Sequence, residues 1–177
     1  MKFETKKDKL EENRIISICT EIEPGMADQL MKDLLIMDKE NHKPITLYIN
    51  SPGGDVVSGL QIIDTMNSIQ SQVDTVCTGQ CASMAAVILS AGKKRMILPH
   101  ARVMIHQVSS GTRGKVFNME VDFEEAKRLN DISMGILAKN CSKALEQLKE
   151  DTHVDFYMGA EEALKYGIVD EIVGQRG

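Results

Sequence analysis

The chain has 177 residues, with 21 basic against 26 acidic side chains and a formal net charge of −5. A chain of this length can bury about 70% of its unfolded surface, so no disulfide or metal is needed to make a core. The acidic balance and an aromatic content of 4%, with no Trp, argue against a binder of nucleic-acid backbones or stacked bases.

Residues 1–13 are dominated by charge and read as a flexible N-terminal tail ahead of one domain over residues 14–177. The tail lacks the apolar run of a secretory signal, and Cys19, Cys77, Cys81 and Cys141 are scattered, so a cytoplasmic location with reduced thiols is expected. The longest purely apolar run, Met84 to Leu89, is far shorter than the roughly 18 residues of a membrane span, and no membrane association is expected. Arg14 to Cys19 predicts a strand, Pro24 to about Asn41 a helix, and Ile45 to Ile49 a second strand. Asn50-Ser51-Pro52-Gly53-Gly54-Asp55 then carries turn chemistry, with Asp55 placed to cap a helix striped by Val57, Leu60, Ile63, Met66 and Ile69. Val73 to Thr78 reads as a strand, Ser83 to Ala91 as a short apolar helix, and Met96 to Leu98 and Arg102 to Ile105 as strands. This alternation predicts an α/β fold with a largely parallel sheet.

After a loop at Val108 to Val116, the stripe Met119, Phe123, Ala126, Leu129, Ile132 and Ile136 predicts a helix of about twenty residues. Its apolar face is either a core stripe or an arm that buries itself against another subunit. A helix from Lys143 to Glu150, a strand near Phe156, a helix from Ala160 to Tyr166 stopped by Gly167, and a strand from Ile168 to Val173 complete the chain.

The most informative stretch for chemistry is Gly79-Gln80-Cys81-Ala82-Ser83-Met84-Ala85-Ala86, a serine at a strand-to-helix junction flanked by small residues, as in a tight nucleophile turn. On local pattern alone Ser83 reads more readily as a helix cap. A nucleophilic serine needs a base. Of His42, His100, His106 and His153, only His106 ends a strand, where open α/β sheets place their chemistry. Spacing does not choose an acid to orient it. Gly53-Gly54 has a second use beyond a turn, since paired glycine N–H groups can hold an oxyanion or an extended peptide. Cys77-x3-Cys81 with His100-x5-His106 is a loose zinc pattern, disfavoured because an apolar helix and strand separate its halves. Gly111-Thr112-Arg113-Gly114-Lys115-Val116 is not a nucleotide loop, so no ATP hydrolysis is expected, and no metal or cofactor is called for.

Taken together, Tyr48-Ile49-Asn50-Ser51-Pro52-Gly53-Gly54, Asp64-Thr65-Met66, Gly79 to Met84, Leu98-Pro99, Arg102 to Gln107, Ala160 to Ala163 and Tyr166 to Asp170 resemble the proteolytic subunit of the Clp protease, the ClpP family, from about Arg14 to Val173. The resemblance implies a crotonase-like α/β fold of repeated β-β-α units with a protruding long handle helix. It implies Ser83 as nucleophile, His106 as general base and Asp155 as the orienting acid, with the N–H groups of Gly54 and Met84 as the oxyanion hole. It further implies heptameric rings stacked in pairs around a closed chamber, fed with unfolded polypeptide by a hexameric Clp AAA+ ATPase. Against the usual family pattern, Val154 stands in place of Arg and Val108 in place of Pro, which implies altered ring coupling and cleavage preference. Two other readings are a catalytically silent or latent ring subunit serving an active paralogue, and a crotonase-type acyl-CoA enzyme.

Overall fold

The computed structural model describes residue 10, residues 13–109, residue 111 and residues 113–174. The expected charged tail lies largely outside these residues. In chain order the elements are β1 (Ile15–Ile18), α1 (Pro24–Glu40), β2 (Ile45–Ser51), α2 (Val56–Ser68), β3 (Val73–Ala82), α3 (Met84–Ser90), β4 (Arg95–Ile97), β5 (Arg102–Ile105), α4 (Val116–Asn140), α5 (Leu145–Asp151), β6 (Phe156–Gly159), α6 (Ala160–Tyr166) and β7 (Glu171–Ile172). The sheet runs β1-β2-β3-β4-β7 with parallel pairings, and β5 joins β3 in parallel and β6 in antiparallel fashion. This is the α/β architecture that the alternation of elements predicts.

The layers follow from the side-chain periods. In β2, Ile45, Leu47 and Ile49 turn inward on a period of two, while α1 buries Ala27, Leu30, Leu34 and Met37 on helical spacing. Asp55 caps α2, its carboxylate accepting from the Ser58 N–H at 2.8 Å. Between these layers α3 is buried along its whole length, Met84 to Ser90. A helix with no polar face belongs at the centre of the molecule.

Two elements differ from expectation in ways that position the site. β3 continues past Thr78 to Ala82. The register against β2 moves from Ile49↔Cys77 to Ser51↔Cys81, so four residues of β3 pass where β2 advances by two. The Asn50 side chain holds this irregularity by accepting from the Gln80 N–H at 3.0 Å, and a Cβ on Gly79 would lie 2.6 Å from that same oxygen. The long strand thereby forks. Thr75–Cys77 pair with β4, whereas Gln80–Ala82 pair with β5.

The second difference is α4, which at 25 residues spans about 37 Å. Its buried residues are confined to Ser133, Met134, Leu137 and Ala138. Phe117 is 80% exposed and Phe123 63%, so the predicted stripe is not a core stripe over its N-terminal half, and that half stands clear of the chain's own core.

At the far end of the sheet Arg95 fastens β4 to the C-terminal segment. Its guanidinium donates to the Asp170 carboxylate and to the carbonyls of Asn140 and Gly167. β7 is short, Glu171–Ile172, and backbone bonds from the Asp170 N–H to the Arg95 carbonyl and from the Val173 N–H to the Ile97 carbonyl flank it on β4.

Candidate active site

Sheet register brings three distant residues together. Parallel pairing of β3 with β5 sets Ala82 opposite Met104, and the next residue, Ser83, donates its N–H to the Met104 carbonyl at 2.9 Å. Antiparallel pairing of β5 with β6 sets Ile105 opposite Phe156, which places His106 and Asp155 as the next facing pair beyond the strand ends. His106 therefore leaves the sheet between Ser83 and Asp155. Ser83 Oγ lies 2.7 Å from His106 Nε2, and His106 Nδ1 lies 3.4 Å from Asp155 Oδ1. The first distance is a full hydrogen bond; the second is longer than a normal one, and the Asp155 side chain is 58% exposed.

Ser83 sits at φ 55°, ψ −126°, outside the ordinary regions for a residue with a side chain. Such a conformation costs about 1–3 kcal/mol and persists only where the surroundings fix it. Here the Met104 bond and the buried α3 on either side of the turn do so. Ser83 makes no side-chain capping bond to α3, so the cap reading of the sequence is replaced by the contact with His106. Gly53 packs against this turn at φ 96°, and a Cβ there would lie 2.6 Å from the Ala82 oxygen and 2.8 Å from Ser83 Cβ. Only glycine fits.

Gly54 and Met84 line one cleft with Ser83, His106, Val56 and Ser133, of about 160 Å3. Met84 is the first residue of α3, so its N–H has no acceptor within the helix. Gly54 adopts φ 145° and bridges to Ile22, whose carbonyl would lie 2.2 Å from any Cβ. The backbone here is thus pressed against its neighbour and aligned beside Ser83. Met84 is held from behind as well, its side chain filling the space that a Cβ on Gly59 would need.

The remaining candidates lie apart. His42 faces Asp38 at 3.2 Å on the surface, and His100 and His153 are exposed. Cys77 and Cys81 are buried within the sheet while His106 is engaged by Ser83 and Asp155, so the loose zinc pattern is not assembled. Burial, reinforced by the neighbouring Cys77, pushes the Cys81 thiol well above its ordinary pKa, leaving no thiolate two residues from Ser83. A larger cleft of about 280 Å3 between β1 and α1 offers the single carboxylate Asp33 and no base beside a nucleophile.

Three residues support the site in roles that motif reading does not assign them. Asn50 shapes β3; Asn130 of α4 accepts from the Val108 N–H at 2.9 Å and ties down the segment after His106; Ser133 forms part of the cleft wall. Asn50 lies inside a stretch that reads as a turn, and the other two lie in a helix whose apolar stripe hides them.

A model of the family described as Clp protease matches residues 2–176, nearly the whole chain. Two of the motifs that carry the resemblance in sequence, Gly79 to Met84 and Arg102 to Gln107, meet where β3 pairs with β5, and with a match over nearly the whole length the chain belongs to the Clp protease family.

Proposed function

We propose that this Clp-type peptidase is a serine endopeptidase that cleaves unfolded polypeptides and short peptides through Ser83, His106 and Asp155. The observation that carries the proposal is the 2.7 Å contact between Ser83 Oγ and His106 Nε2 at a strained turn. With the Nδ1 proton directed at Asp155, Nε2 is left as acceptor for the Ser83 O–H. Ser83 Oγ attacks the scissile carbonyl carbon as His106 takes its proton. The resulting oxyanion receives the N–H groups of Gly54 and Met84, each such donor typically supplying about 3–4 kcal/mol of transition-state stabilisation. His106 then protonates the departing amine, and water, activated by the same imidazole, releases the acyl group from Ser83.

The exposed apolar half of α4 supports self-assembly, which we propose takes the form of heptameric rings stacked in pairs in the cytoplasm, served by a hexameric Clp AAA+ ATPase. Among the described residues no helix is long and apolar enough to cross a membrane.

One observation favours a second reading, a latent or silent ring subunit. The His106 to Asp155 separation is 3.4 Å with Asp155 largely in solvent. Catalytic contacts often tighten only when substrate or partner binds. Hydrolysis of a fluorogenic peptide by wild type and Ser83→Ala, across protein concentration, separates the two. Activity that rises with concentration and vanishes in Ser83→Ala supports the endopeptidase; silence of a wild type that forms rings supports the latent subunit.

A further inference from the structure

Ser133 Oγ is buried without a hydrogen-bond partner, and Ser133 is only 2% exposed. Native interiors leave very few polar atoms in this condition. Ser133 is also part of the wall of the cleft that holds Ser83 and His106. Around it the wall is mainly apolar, formed by Val56, Met84, Val87 and Met134, with Ser109 adding a solvent-exposed hydroxyl, and no Lys, Arg, Asp or Glu lines the cleft. The cleft therefore combines a largely hydrocarbon surround with one buried, unpartnered hydroxyl, the pattern of a site that orients a ligand by a few placed polar contacts.

Resting on the peptidase reading, the side chain nearest this cleft is that of the residue supplying the scissile carbonyl. Its carbonyl carbon must meet Ser83 while its oxygen points at Gly54 and Met84, which border the same space. We infer that Ser133 is a specificity-determining residue that selects a neutral, hydrogen-bonding side chain at that position, an amide such as Asn or Gln. An amide brings a donor and an acceptor to a hydroxyl that can serve as either, at the end of a short carbon arm that the apolar wall accepts. A charged side chain would meet no counter-charge there, and a hydrocarbon side chain would leave Ser133 unpaired in a dry site. The small hydroxyl of a serine substrate would leave much of the 160 Å3 unfilled.

The test uses four fluorogenic peptides differing only at the residue before the cleaved bond, in the near-isosteric pairs Asn with Leu and Gln with Met. Wild type should show kcat/KM about tenfold higher for each amide than for its partner. Ser133→Ala should bring both ratios close to one by losing activity on the amides and gaining it on Leu and Met. Ser133→Cys, which keeps the volume but weakens the bond, guards against an effect of folding and should give ratios in between. Ratios unchanged in both variants, or a wild-type preference for Leu and Met, overturn the assignment of Ser133 while leaving the peptidase reading intact. Failure of wild type to cleave any of the four, with Ser83 also unlabelled by a fluorophosphonate, overturns the peptidase reading and this inference with it.

Discussion

Val108 N–H donates to Asn130 Oδ1 at 2.9 Å, so the segment that follows His106 is fastened to the same helix that presents Ser133 to the cleft. His106, the chain leaving it and the cleft wall are thereby tied to one another. Asn130→Ala should strand a half-buried N–H, cost about 1 kcal/mol of stability and raise KM more than it lowers kcat. Asn130→Asp retains the acceptor and should restore much of the loss. Steady-state kinetics on both variants checks this.

Gly53→Ala should be far more damaging than its size suggests. The new methyl would collide with the Ala82 carbonyl and Ser83 Cβ, and φ 96° is itself costly for any residue with a side chain, about 1–3 kcal/mol. The expected result is loss of at least a hundredfold in kcat/KM with secondary structure retained, read by peptide hydrolysis and circular dichroism.

The Arg95 hydrogen bonds hold the Asp170 carboxyl below its ordinary pKa. A depressed folded-state pKa contributes stability above the unfolded value, about 3.9, and that contribution is lost as the pH falls through the folded value. Asp170→Asn should therefore be less stable than wild type at pH 7, by up to about 1 kcal/mol given its partial exposure, with the gap closing below pH ~4. Thermal melts across pH 3–7 would show the curves converge; a constant gap would contradict the linkage.

Thiol labelling should be selective. Cys19 is exposed, whereas Cys77, Cys81 and Cys141 are buried and burial pushes the Cys141 thiol up to about 11. One equivalent of iodoacetamide per native chain at pH 8, rising to four in denaturant, is expected by intact mass.

Phe117→Ser with Phe123→Ser should lower the sedimentation coefficient without changing the melting temperature of the chain measured at equal dilution. Both rings are exposed and contribute nothing to the chain's own core. A particle size unaffected by the pair would remove α4 as an assembly surface.

Much of this molecule is legible from its residues, and the limits have definite causes. The inward alternation of Ile45, Leu47 and Ile49 and the spacing of Leu30, Leu34 and Met37 report layers whose partners are close in sequence. The small residues around Ser83 mark a tight junction, yet local pattern favours a cap, because the oxygen's actual partner is 23 positions away. Asp155 is out of reach of spacing altogether. Its place beside His106 depends on the Ile105↔Phe156 register, a pairing across about 50 intervening residues that include the whole of α4, and the residue is named in sequence only through the family resemblance. The extension of β3 to Ala82 is hidden because Gly79 looks like a strand end, when it is the point where the Asn50 amide needs room. Ser133 gives no signal, since a serine in a helix is ordinary until its cavity is known.

The forked β3 also sets when the three side chains of the proposed site can meet. Ser83, His106 and Asp155 meet only after β5 has paired in parallel with the far end of β3 and β6 has returned across the whole of α4 to close on β5. Pairings that enclose so much chain are among the slowest steps of folding. A polypeptide still in search of its register thus holds its serine, imidazole and carboxylate apart.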